Sequence, residues 1–191
     1  MEIWLARHGA TEWSRSGQHT GVTDLPLLAD GEEEARAIGG RLAGHTFARV
    51  LSSPLARARD TARLAGCPQP EVTDLLREVD YGHYEGLTTA QIQAERPGWE
   101  LFDDGSTGGE TPEQIAARAD RLLSEIGEPE GDVLLFGHGH ILRALAARYL
   151  ELEVRVAGLL RLDAGSLSIL GHEHDHHALK LWNETLLRSA S

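Results

Sequence analysis

The stretch Ile3-Trp4-Leu5-Ala6-Arg7-His8-Gly9-Ala10-Thr11-Glu12-Trp13 decides how this chain is read. Its apolar run predicts a buried strand over about 2–6, and Arg-His-Gly falls where that strand ends. In open α/β sheets, ligands bind outside the carboxyl ends of the strands. A cation, an imidazole and a glycine at such an end suit an anion. Arg7 offers a forked donor that matches phosphate oxygens. Gly9 lets the backbone approach closely, and His8 is a candidate nucleophile or proton carrier.

The same grammar returns late in the chain. Asp132-Val133-Leu134-Leu135-Phe136 reads as a central parallel strand and ends in Gly137-His138-Gly139-His140, with a helix expected through about 149. A second strand is expected over Phe47–Ser52. Ser53 would cap the next helix, with Pro54 at its first position and Arg57 one turn in. Arg59 and Arg63 on that helix read as solvated. A short strand is expected over 71–73, followed by Glu78 in a segment rich in titratable groups.

Alternation of apolar runs with helical patterns predicts an α/β fold. Residues 14–28 form a polar loop, and such length in a compact domain points to function. Asp30 is expected to cap a helix to about Ala43. Residues 87–111, a short helix from about Thr89 and a glycine-rich loop, read as an insertion over the cleft. Thr111-Pro112 opens a helix to Ile126, with an apolar stripe of Ile115, Ala119, Leu122 and Ile126. The C-terminal part predicts a hairpin of 159–163 with 166–170, turning at Ala164-Gly165, and a last strand over 178–182.

The chain has 191 residues, 41% hydrophobic and 25% charged, enough for a single soluble domain with a large core. A net charge of −12 argues against nucleic acid or an anionic membrane surface as partner. The one cysteine, Cys67, fits a reducing compartment, and no signal peptide or membrane span is evident, so a cytoplasmic location is expected. In His172-Glu173-His174-Asp175-His176-His177, alternate histidines on a strand would share a face and suit a transition ion. Without a distant ligand set the segment reads as a polar turn, and no metal site is expected.

Three strand ends thus carry Arg7-His8, Arg57 and His138, with Glu78 after a fourth, all facing one crevice of a mostly parallel sheet. Two arginines can neutralise phosphoryl oxygens while one histidine attacks phosphorus and a carboxylic acid protonates the leaving oxygen. The sequence resembles the histidine phosphatase superfamily, also called phosphoglycerate mutase-like. The matches are Arg7 to Trp13, Ser52 to Ala58, Leu76-Arg77-Glu78 with Tyr81-Gly82, Gly109-Glu110-Thr111 and Gly137-His138-Gly139, in the family's order.

The resemblance implies a three-layer α/β/α sandwich over residues 1–191, with a mostly parallel central sheet and helices on both faces. It implies that His8 is the phosphorylated nucleophile, that Arg7 and Arg57 clamp phosphate, that His138 binds the transferring group and that Glu78 is the general acid and base. Residues 13–27, 80–86 and 137–143 are similar to the sedoheptulose-1,7-bisphosphatase and acid phosphatase branch. By that likeness Ser14, His19, Thr20, Gly21, Tyr81, Gly139 and Arg143 contact the substrate, although Arg143 reads equally as a solvated helix residue. Residues 87–108 carry only Arg96 as a base, whereas the mutases have paired arginines and a lysine in a longer insertion. Hydrolysis of a small phosphorylated metabolite, without cofactor, is therefore expected over phosphoryl transfer or passive phosphosite binding, and a homodimer is allowed.

Overall fold

Every residue from Val133 to Phe136 is fully buried, and the strand they form lies in the middle of one sheet. Each such side chain stabilises the fold by roughly 1.5–3 kcal/mol relative to exposure. The computed structural model describes residues 1–127 and 129–185; residue 128 and residues 186–191, within the expected domain, lie outside the described residues.

In chain order the elements are β1 (Ile3–Arg7), α1 (Glu12–Ser16), α2 (Ala29–Leu42), β2 (Phe47–Ser52), α3 (Ala56–Leu64), β3 (Glu71–Val72), α4 (Thr89–Glu95), α5 (Leu101–Asp104), α6 (Pro112–Ile126), β4 (Asp132–Gly137), α7 (Gly139–Tyr149), β5 (Ser166–Glu173) and β6 (His176–Thr185). The sheet order is β3-β2-β4-β1-β5-β6. β1 and β2 both run parallel to β4, β3 runs parallel to β2, and β5 is antiparallel to β1 and β6.

Period-two alternation sorts the sheet into two cores. Ile3, Leu5, Val133 and Leu135 pack with Ile115 and Leu122 of α6 and Ile141 and Leu145 of α7. Trp4, Ala6, Leu134 and Phe136 pack on the other face with Ile38 and Leu42 of α2 and Ala62 of α3. The fold is the expected mixed α/β sandwich, with helices on both faces of a mostly parallel sheet. Among the described residues, no helix is long and apolar enough to cross a membrane.

The backbone packs so closely behind β1 that two glycines are required. A Cβ on Gly9 would lie 2.1 Å from the Gly31 carbonyl oxygen, and one on Gly31 would lie 2.2 Å from that of Ala10. The first turn of α2 is thereby set directly against the loop that carries His8.

Four local expectations are corrected. The 14–28 loop begins inside α1, whose Thr11 and Ser14 form a reciprocal capping box. α2 has no side-chain cap, and Asp30 lies in its first turn. α3 starts at Ala56 rather than Pro54, and the Asp24 carboxylate accepts from the Ala56 N–H at 2.9 Å, a cap from 32 residues away. Ser53 accepts from the Leu55 N–H instead.

The C-terminal hairpin is β5 with β6, turning at His174-Asp175, and not 159–163 with 166–170. β1 and β6 occupy both edges of β5, which leaves no ladder for 159–163. Residues Val154–Leu159 form a 3-10 turn, and Leu162 reaches the cleft described below. The histidine cluster falls on the true hairpin. Among the described residues, no group of three or more His, Cys, Asp or Glu side chains is placed to hold a metal ion.

Candidate active site

The parallel strands deliver their carboxyl ends to one place. A cleft of about 240 Å³ opens there, and nine of the sequence-predicted residues line it: Arg7, His8, Ser14, His19, Thr20, Glu78, Tyr81, Gly139 and Arg143. Arg57, His138 and Gly21 are not in its wall.

His8 follows β1 and is 4% exposed. Its Nδ1 lies 2.7 Å from the Gly9 carbonyl oxygen, which can only accept, so Nδ1 carries the proton. Nε2 is left as a bare lone pair at the cleft. Burial, followed by the charges of Arg57 and Arg7, holds the ring's pKa well below its ordinary value. A neutral imidazole is what nucleophilic attack requires.

Arg7 ends β1 and donates to the Leu162 carbonyl. Its Nε is buried without a hydrogen-bond partner among the described residues. Gly139 makes room for it, since a Cβ there would come 3.3 Å from the guanidinium carbon. The forked head lines the same cleft as His8, and its Nη2, without a partner among the described residues, is not buried.

Arg57, expected to clamp phosphate, lies fully buried behind the cleft. Its guanidinium donates to the carbonyls of Thr23 (2.8 Å), Thr20 (2.9 Å) and Gly21 (3.1 Å). The fourth contact runs from Nε to His138 Nδ1 at 3.1 Å. A buried guanidinium must satisfy its N–H groups, and the 20–23 loop supplies the acceptors. Glu85 fixes that loop from the other side, accepting from the Gly21 and Thr23 N–H groups. Gly21 is accordingly part of this brace and not a cleft residue.

The Arg57 contact also sets the tautomer of His138. Arginine is a donor, so His138 Nδ1 accepts and Nε2 carries the proton, which is donated to Ser53 Oγ at 2.8 Å. The rings of His8 and His138 are 5.1 Å apart. Burial, then Arg57 and His8, keep the His138 pKa well below normal.

Glu78 reaches the cleft from the segment before Tyr81. Its Oε1 accepts from the N–H groups of Val79 and Ile141, each at 3.0 Å. Oε2 accepts from the His140 N–H at 3.0 Å. The carboxyl therefore sits on the open N-terminus of α7, where unpaired N–H groups favour an acidic side chain. Arg118 holds the segment in place. It donates to the carbonyls of Leu75 and Arg77 and pairs through two nitrogens with Glu110, which accepts in turn from the Asp80 N–H. The Arg118–Glu110 pairing was not expected from sequence, and Ser53 was singled out there only as a helix cap and within the family match.

Arg143 is fixed by the Ala157 and Gly158 carbonyls and lies 5.2 Å above the Phe102 ring. It is a positioned cleft residue, not a solvated one. Arg96 of the insertion is spent on Asp104 at 2.7 Å. Tyr81 is 1% exposed, and its hydroxyl bonds His140 Nδ1 at 2.6 Å. His140, Trp13, Gly17, Gln18, Thr89 and Leu162 complete the wall and were not among the expected site residues. His140 stood in the quoted Gly-His-Gly-His run, but nothing in the spacing told which histidine would face the cleft.

Four histidines of this site make stability depend on pH. Burial lowers the pKa of His8, His138 and His140 well below normal, and that of His19 to about 4. The unfolded chain protonates them near pH 6.5, so below that pH it binds more protons than the native state. Stability is full above pH 6.5 and falls as pH drops, for His19 down to about 4. The expected slope is about 1.4 kcal/mol per pH unit for each histidine still neutral. Urea unfolding from pH 7.5 to 5 should show the midpoint falling steeply below 6.5; a flat midpoint would contradict the buried neutral rings.

A family model described as histidine phosphatase superfamily (branch 1) matches residues 3–185. An acid phosphatase of Mycobacterium tuberculosis is 40% identical over 177 residues, covering 90% of this chain and 87% of that protein. Sedoheptulose 1,7-bisphosphatase of Saccharomyces cerevisiae is 37% identical over 185 residues, covering 79% of this chain and 68% of that protein. The solved structure of a functionally characterised Mycobacterium tuberculosis open reading frame superposes with a TM-score of 0.93 at 37% identity, covering 97% of this chain and 98% of that one.

Proposed function

This chain belongs to the histidine phosphatase superfamily, and on that footing we propose that it is a metal-independent phosphatase of small hydroxylated phosphate esters, sugar phosphates or bisphosphates, acting through a phosphohistidine on His8. One observation carries the reading: the bare Nε2 of His8 shares a cleft with the Arg7 guanidinium, whose Nη2 has no partner among the described residues and is not buried, and with the carboxyl of Glu78. A passive phosphate-binding module needs cations but no aligned lone pair and no proton donor. Two phosphatases among the relatives support hydrolysis.

In this reaction Arg7 binds the phosphoryl oxygens and Arg57 adds positive charge from behind the histidines. His8 Nε2 attacks phosphorus in line; the P–N bond forms as the ester P–O bond breaks. Glu78, protonated, gives its proton to the leaving alkoxide oxygen. The Gly9 carbonyl on Nδ1–H stabilises the positive charge the ring acquires. Water then attacks phosphorus, the Glu78 carboxylate takes a proton from it, and the P–N bond breaks. Inorganic phosphate leaves, with His8 again neutral.

Ser14, Gln18, Thr20 and Thr89 give the cleft a lining of neutral hydrogen-bonding groups, suited to a polyhydroxylated alcohol. The test is a phosphate-release screen over sugar phosphates, bisphosphates and phosphoglycerates, with and without EDTA. Release should be undiminished by chelation, because arginines carry the charge a metal would otherwise supply. Loss in EDTA restored by zinc or magnesium would overturn the metal-independent mechanism. Interconversion of 3- and 2-phosphoglycerate with 2,3-bisphosphoglycerate, faster than phosphate release, would overturn hydrolysis.

A further inference from the structure

We infer that the Tyr81–His140 pair is a specificity device: it locks His140 in the tautomer that presents one N–H, at Nε2, to a hydroxyl on the alcohol part of the substrate. The inference rests on the phosphatase reading above and extends it to the group that discriminates among esters.

The argument begins with the buried hydroxyl of Tyr81. It lies 2.6 Å from His140 Nδ1, and no other partner is recorded for it among the described residues. If Nδ1 were the donor, the phenolic proton would be left inside the protein without an acceptor, which costs a full desolvation penalty. The proton therefore runs from Tyr81 to Nδ1, and Nε2 must carry the ring's own proton. Burial followed by the charge of Glu78 raises the Tyr81 pKa well above normal, so the phenol stays a donor. Burial, with Arg143 next, lowers that of His140, so the ring stays neutral.

The second half is geometric. His140 Nε2 has no hydrogen-bond partner and is not among the buried orphan atoms of the described residues, so it opens into the cleft that His140 lines. The ring cannot drift. It packs 5.7 Å from His19, 5.7 Å from Tyr81 and 5.6 Å from Phe102, while its backbone N–H is held by Glu78. The donor stands in the cleft that also holds Glu78, and its Nδ1 is 3.8 Å from Glu78 Oε2. Glu78 addresses the ester oxygen, so this N–H falls on the alcohol side of the substrate. A fixed neutral donor favours a hydroxyl there and is left unpaired by an alkyl chain.

The experiment compares glycerol 3-phosphate with n-propyl phosphate, whose leaving alkoxides are alike and which differ in hydroxyls. Wild-type enzyme should prefer glycerol 3-phosphate in kcat/KM. His140→Ala should shrink that ratio by roughly tenfold or more, and Tyr81→Phe, which frees the tautomer, by a smaller factor. Nitrogen-15 NMR of the histidines should show the Nε2–H form for His140 in wild type and loss of that single form in Tyr81→Phe. A ratio unchanged in folded His140→Ala, or an Nδ1–H form in wild type, overturns the inference. Absence of phosphate release from every ester by wild type would instead sink the phosphatase reading, while the NMR arm still decides the tautomer.

Discussion

His8→Ala should release phosphate at least about a thousandfold more slowly than wild type, because a covalent route disappears with its nucleophile. Quenching wild-type enzyme during turnover should trap an acid-labile, base-stable phosphoryl group, the mark of phosphohistidine. The variant should carry none. The size of the effect follows from the geometry. His8 Nε2 is a free imidazole lone pair, whereas the lone pairs of His138 and His140, both on Nδ1, accept from Arg57 and Tyr81. Neither His138 nor His140 can take over without giving up its Nδ1 hydrogen bond. The small side chain leaves a hole at a 4% exposed position, so circular dichroism must show that the variant is folded. Normal turnover by folded His8→Ala would remove the phosphohistidine from the mechanism.

Glu78→Gln should divide substrates by their leaving groups. With sugar or glycerol alkoxides, phosphoenzyme formation should fall about 10²–10⁴-fold, the usual worth of a positioned acid. With p-nitrophenyl phosphate it should fall much less, since that phenolate leaves without a proton. Hydrolysis of the phosphoenzyme should still slow, so the intermediate should accumulate from p-nitrophenyl phosphate and be visible in a burst experiment. The substitution also has a structural cost. Glu78 accepts from three backbone N–H groups, and an amide sets its own NH₂ against at least one of them. A loss of about 1–3 kcal/mol in stability is expected from that clash of donors. Equal loss of phosphoenzyme formation on both substrate types would show that Glu78 is not the acid. Asp80, the next carboxylate in sequence, is exposed and accepts from the Gly82 N–H at 2.9 Å, so it is poorly placed to replace it.

Elements whose signals are local were legible before any coordinates. β2 spans Phe47–Ser52 as expected, α4 begins at Thr89, and α6 runs from Pro112 to Ile126 with Ile115, Ala119 and Leu122 buried. Period-two alternation, a Thr-Pro start and an apolar stripe are each written within a dozen residues. Expectations failed where the deciding partner was distant. The start of α3 is set by Asp24, and the true hairpin is set by which strands already flank β5.

The same division runs through the site. Sequence alone determined which strand ends carry Arg7, His8 and His138, because a strand-to-loop transition is a local event that projects its residues to one edge of the sheet; Glu78 lies further on, past β3 and a 3-10 turn. Tertiary structure alone decided that Arg7 faces the cleft while Arg57 braces the 20–23 loop behind it. It also decided which nitrogen of His138 and His140 holds a proton, whereas that of His8 is set by the adjacent Gly9 carbonyl. The physical reason is that a buried charge or ring nitrogen takes whatever acceptor or donor the fold brings within about 3 Å. Those partners lie 34–37 residues away for Arg57 NH1 and NH2, 81 for His138 and 59 for His140, beyond the reach of any local pattern.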